Sequence, residues 1–212
     1  MNRPLAAMLA LFVPLSFLCG CSSPADSGGD PDPDPIDWEI RDTPQHVLDN
    51  LVTAYENKKA EEYLDCLSED FIFYLNPEDV KNDPTLPYYW DKPEERDVHE
   101  AMFSGQGDHG GVDRIELTLT QDGDPTPIEV SPGVFHYQYR ESVNLRMHMQ
   151  EDNLIYFTTA PVLFELREDA DQTGPNGETL WEICDWYDLN EEGGHAAVDQ
   201  GSWGLMKALF RR

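Results

Sequence analysis

Glu141 is the carboxylate in this 212-residue chain whose placement most suggests chemistry. It falls on the phase of Phe135, Tyr137, Tyr139, Val143, Leu145, Met147 and Met149, while His136, Gln138, Arg140, Ser142, Asn144, Arg146 and His148 take the other. A period of two marks a strand with one buried face. A carboxylate on that face would have a raised pKa and could act as general acid or base near neutral pH. A bulge turning Glu141 outward, or an ion pair with Arg114, Arg140 or Arg146, fits the same pattern. Charged groups are seldom buried unpaired, so the pattern favours these two. Asp169, Asp171, Thr173 and Gly174 have the opening spacing of a calcium loop, but Leu180 holds the place of the bidentate acid. The segment therefore reads as a hairpin turn. The six histidines show no metal-ligand spacing, so no metal site is expected. No glycine-rich phosphate loop follows a strand and no Gly-x-Ser-x-Gly elbow is present, so no cofactor is expected. Cys66 and Cys184 lie among apolar residues, and the sequence permits either a disulfide between them or two buried thiols.

The elements that must position these groups follow from caps and periodicity. Thr43-Pro44 opens a helix, with the hydroxyl as cap and proline at its first position. Val47, Leu48, Leu51, Val52 and Tyr55 form its apolar face, and Lys58 and Lys59 close it. A second helix is expected over 60–67, turned by Ser68-Glu69-Asp70 into a strand over 71–75 that stops at Asn76-Pro77. After a Pro-rich connection, Pro93 starts a third helix that Gly105 ends. Strands follow around Ile115, over 135–149, over 154–166 and over 180–187, with a turn at 169–177. Residues 154–166 are apolar on both phases, as in a central strand, with Pro161 at a bend. Trp203, Met206, Leu209 and Phe210 predict a small closing helix or docked tail.

Residues 1–20 have a positive head at Arg3 and an apolar run over 5–18. The run is shorter than the roughly 20 residues that span a bilayer and matches the core of a secretory signal. Leu18-Cys19-Gly20-Cys21 resembles the lipobox of bacterial lipoproteins, which implies cleavage before Cys21 and lipid on its thiol. Stable anchoring takes two signals, which a triacylated cysteine supplies. By the same resemblance, Ser22 after the cysteine implies the outer membrane, with the protein facing the periplasm or the cell surface. Residues 21–42 include Asp30-Pro31-Asp32-Pro33-Asp34-Pro35, an extended and self-repelling tether. One domain of ordinary size remains, over 43–212. Forty-two acidic against fourteen basic side chains, a net charge of -28, exclude nucleic acid as a partner.

The order of elements resembles the NTF2-like (SnoaL, ketosteroid isomerase) superfamily. The local sequence that carries the resemblance is Leu51-Val52-Thr53-Ala54-Tyr55, the run from Tyr63 to Phe71, Asn76-Pro77, and Trp181-Glu182-Ile183 before Trp186-Tyr187-Asp188. It implies an α+β, cystatin-like cone: three N-terminal helices packed on a curved, mostly antiparallel sheet. Tyr55 then stands about where the isomerases carry an oxyanion donor, and Asn76 where they carry the proton-transfer aspartate. An amide cannot be that base. The resemblance thus implies a non-catalytic module for a small hydrophobic ligand or an envelope protein, with a homodimer through the sheet as a further possibility. The alternative is a SnoaL-like isomerase, dehydratase or cyclase using Glu141.

Overall fold

The computed structural model describes residues 35–105, 111–150, 154–189 and 202–211. Cys21, the leader and the Asp-Pro run lie outside them. Among the described residues no helix is long and apolar enough to cross a membrane.

The architecture is α+β, with a curved, mostly antiparallel sheet. In chain order the elements are α1 (Pro44–Glu56), α2 (Ala60–Asp65), β1 (Leu67–Tyr74), α3 (Pro77–Asn82), β2 (Tyr89–Asp91), α4 (Lys92–Ser104), β3 (Val112–Gln121), β4 (Thr126–Ser131), β5 (Val134–Met149), β6 (Ile155–Thr173), β7 (Thr179–Asp188) and α5 (Trp203–Ala208). Among the described residues seven strands form one sheet in the order β2-β1-β7-β6-β5-β3, and β4 pairs with the first part of β5. Only β1 and β7 are parallel. The helices pack on one face: α1 on β3 and β7, α4 on β1, β2 and β3, α5 on α4 and β6.

Local chemistry explains the helix boundaries. The Thr43 hydroxyl accepts from the His46 amide, and Pro44 fills the first position of α1. Asp91 and Glu94 form a reciprocal capping box on α4, whose end falls at Gly105 in the left-handed region (φ 74°). Lys58, also left-handed, follows α1.

Four expectations are corrected. Among the described residues the helices are five, because Asn76 caps α3 through its side-chain oxygen and Pro77 opens it; the pair starts a helix as well as ending a strand. Ser68-Glu69-Asp70 is not a turn but an irregular part of β1, where the register with β7 shifts between Leu67 and Ile72. β6 continues to Thr173, so the turn is confined to residues 174–178. Residues 37–42, read as tether, pack on the domain: Asn50 exchanges two hydrogen bonds with the Glu39 backbone, and the Trp181 amide donates to the Arg41 carbonyl.

Candidate functional site

The space between α4, α5 and the central strands is filled by side chains. Trp203, Met206, Lys207 and Phe210 all lie buried there. The reason is spacing: Trp203, Lys207 and Phe210 are four and three residues apart and share one face. Lys207 points its ammonium at α4, where Nζ lies 2.9 Å from both oxygens of Glu95. The same ammonium sits 3.8 Å above the Phe73 ring and 4.3 Å above Trp186, a desolvated cation on aromatic faces.

One hydrogen-bonded relay runs outward from this pair. Tyr63 donates to Glu95 Oε2 at 2.8 Å. His99, one turn after Glu95, donates from Nδ1 to the Glu95 carbonyl at 2.8 Å. Its Nε2 accepts from the Tyr55 hydroxyl at 2.6 Å, and Tyr55 in turn accepts from Trp203 Nε1 at 3.0 Å. Every member is fully buried. Burial alone would raise the Glu95 pKa; the Lys207 charge and the His99 contact reverse that and hold it at about 2. Burial lowers the His99 pKa, so a neutral imidazole with its proton on Nδ1 fits both contacts. Burial lifts the Tyr55 and Tyr63 hydroxyls well above their ordinary range, so they remain donors. The network is satisfied throughout and structural in character.

The start of α5 is held separately. Asp188 Oδ2 accepts from the Gly204 amide at 2.7 Å. Burial first, against the help of Gly204 and Ser202, lifts the Asp188 carboxyl to about 6. Asp79 on α3 is also raised by burial and is opposed by the Ser202 contact.

The residues singled out in the sequence do not converge. Tyr55 belongs to the buried relay. Asn76 is buried at the α3 cap, its oxygen accepting from the Glu78 amide at 2.9 Å, and its Nδ2 has no partner among the described residues. Glu141 pairs in unbroken register with Gln121 and Val162, so it faces the helix side with Val143 and not outward at a bulge. Arg114 pairs with Glu116 and Arg140 with Asp122. Glu141 lines a groove of about 360 Å³ between α1 and β3, with Leu48, Val52, Leu117 and Leu119 among its walls. Burial, aided by the charge of Asp122, lifts its carboxyl to about 7. A larger hollow of about 700 Å³ lies outside α4, lined by Trp90, Phe103, Lys58, Glu94, Asp97 and Arg211 among others.

Cys66 and Cys184 are unbridged. The Cys66 thiol donates to the Glu62 carbonyl and that of Cys184 to the Glu165 carbonyl. Burial pushes both thiols up to about 12.

Sequence reasoning missed Glu95, His99, Tyr63 and Lys207. A signal was available: Glu95 and His99 are one turn apart on α4, and Lys207 shares its helical face with Trp203 and Phe210.

No protein-family model matches the chain, and no curated protein matches it significantly. Solved structures similar to it include a protein of unknown function from Mycobacterium tuberculosis, 16% identical with a TM-score of 0.44, over 68% of this chain and 66% of that one. A ketosteroid isomerase-like protein from Erwinia carotovora atroseptica is similar at 12% identity and a TM-score of 0.45, over 68% and 89% of the two chains. A hexachlorocyclohexane dehydrochlorinase from Novosphingobium barchaimii is similar at 10% identity and 0.45, over 68% and 80%. These are likenesses of fold and say nothing of the chemistry of this chain.

Proposed function

We propose that the chain is a lipoprotein anchored through Cys21 in the outer membrane, and that its NTF2-like domain binds an envelope protein across the open face of its sheet without catalysis. The observation that carries the reading is the occupied cone. Trp203 and Lys207 fill the volume in which a small apolar ligand would lie, and Tyr55 is committed to His99 and Trp203. The open face remains for recognition. It presents the stacked pair Tyr74 and Tyr187, ring centroids 4.5 Å apart, and the exposed Ile155 and Phe157. Aromatic groups among polar neighbours suit a protein contact. Two experiments test the reading. Cys21→Ala should leave an unlipidated precursor, read by membrane fractionation and mass measurement of the N-terminus; normal lipidation of that variant would contradict the anchor. An apolar fluorescent probe should bind the chain ended after residue 201 and not the whole chain; binding to the whole chain would contradict a filled cone.

A second reading rests on Glu141. A carboxyl raised to about 7 beside a groove walled by Leu48, Val52, Leu117 and Leu119 together with Gln45, Asp49 and Gln121 is suited to general acid–base catalysis, as a SnoaL-like enzyme would require. Turnover lost in Glu141→Gln, with the fold intact, would establish it.

A further inference from the structure

On the open face of the sheet, away from the relay, β5, β6 and β7 bring together three different metal-binding side chains. The ligand atoms of His136, Glu165 and Cys184 all lie within 4.8 Å of one another. We propose that His136 Nδ1, Glu165 and Cys184 Sγ form a binding site for a single divalent cation of the zinc class, with the fourth position open to water.

Geometry comes first. Zinc holds imidazole nitrogen at about 2.0–2.1 Å, thiolate sulfur at about 2.3 Å and carboxylate oxygen at about 2.0–2.2 Å, in tetrahedral array. Those bonds set ligand separations of about 3.6 Å for nitrogen to sulfur and about 3.4 Å for nitrogen to oxygen. Cys184 Sγ lies 3.6 Å from His136 Nδ1, already at that separation. Glu165 Oε1 lies 2.7 Å from the same nitrogen, as a hydrogen-bonded pair. Admitting the ion therefore requires that contact to open by about 0.7 Å, a side-chain movement.

The backbone builds the site. In the β6–β7 ladder Glu165 is opposite Asp185 and Leu166 is opposite Ile183, which leaves Cys184 as the extra residue of a bulge. The bulge puts Ile183 and Trp186 into the core while Cys184 turns to the open face beside His136. Bulges re-aim a side chain in this way. A supporting contact is present too: Gln138 Nε2 approaches the second oxygen of Glu165 at 3.5 Å, as outer groups do that orient a metal-binding carboxylate. Arg167, a basic neighbour on the same face, is engaged by Asp70 and Glu182. Glu165 and Cys184 are buried and the His136 side chain is 14% exposed, so the cluster is sheltered yet open on the imidazole side.

The mixed nitrogen, oxygen and sulfur set selects the ion. Calcium and magnesium take oxygen ligands, whereas one thiolate with one imidazole suits zinc. On binding, the Cys184 thiol gives up its proton to solvent. The proton held between His136 Nδ1 and Glu165 is lost to solvent while Nε2 takes one up, so the imidazole stays neutral with Nδ1 free to bind, and no electron is transferred.

The test uses the untagged, reduced full-length chain and cobalt(II) as a spectroscopic probe, displaced by zinc. One equivalent should bind with a sulfur-to-cobalt charge-transfer band. Cys184→Ala should abolish the band, and His136→Gln or Glu165→Gln should weaken binding at least about tenfold. His148→Gln, elsewhere on the same face, should change nothing. Circular dichroism confirms that each variant is folded, and His136→Gln, at the accessible edge, serves if the Cys184 variant unfolds. Binding that lacks the sulfur band, or that survives all three substitutions, would belong to the acidic surface at large and would overturn the site.

Discussion

Replacing Lys207 by methionine removes one charge from the buried interior beneath α5 and nearly preserves the side-chain volume. The thioether can still lie over Phe73 and Trp186, but Glu95 loses its two contacts at 2.9 Å and the only cation bonded to it among the described residues. Breaking a buried pair from one side typically costs about 3–5 kcal/mol, because the remaining charge is uncompensated. For a domain of this size that is a fall in Tm of roughly 10 °C. Glu95→Gln alone should cost a similar amount by stranding Lys207. The double variant Glu95→Gln, Lys207→Met should return to within about 1–2 kcal/mol of wild type, since neutral replacement of a buried pair is often tolerated. The pH dependence carries a sign. In the wild type Glu95 titrates at about 2, below its ordinary value, so its stabilisation is present above about 4.5 and lost as pH falls toward 2. In Lys207→Met the unpaired carboxyl is raised instead, so the variant should recover stability on acidification. Urea unfolding of the four proteins at two pH values measures all of this. A Lys207→Met protein within about 1 kcal/mol of wild type, or a double variant as weak as the sum of the singles, would refute the claim that this pair seats α5.

Two further outcomes follow. Glu141 titrates at about 7, above its unfolded value, so it favours folding below about pH 4.5 and loses that contribution as pH rises through 7; Glu141→Gln should flatten the decline between pH 5 and pH 8, by at most about 3 kcal/mol and less where the groove admits water. Thiol labelling of the unfolded, unreduced domain should find Cys66 and Cys184 both free, and in the folded domain both should react slowly because burial disfavours the thiolate.

Much of the scaffold is legible in the sequence because its signals are local. The Thr43-Pro44 start of α1, the Gly105 end of α4 and the alternation of β5 each depend on residues within a few positions of one another. Asn76-Pro77 misleads because a cap followed by proline both ends a strand and begins α3. β4 escapes notice because Pro127 interrupts it and most of its side chains are exposed, as befits an edge. The interior is harder to read. Lys207 and Glu95 are 112 positions apart, and no local pattern says that a lysine on an apolar face will find a carboxylate rather than water. Glu141 shows the converse: its phase placed it on the helix side, but only the groove under α1 explains how a carboxylate is tolerated there. The three ligands around His136 meet only because a bulge in β7 turns Cys184, and a single-residue shift of register leaves no mark in composition.

The proposed function places recognition on the open face of the sheet and not between the helices and the sheet. Site-specific photo-crosslinking in living cells tests it most directly, with the probe at Tyr74 on the open face or at Phe103 on the helix side. One discrete protein adduct is expected from Tyr74 and none from Phe103; an adduct from Phe103 alone would put recognition on the helix side instead.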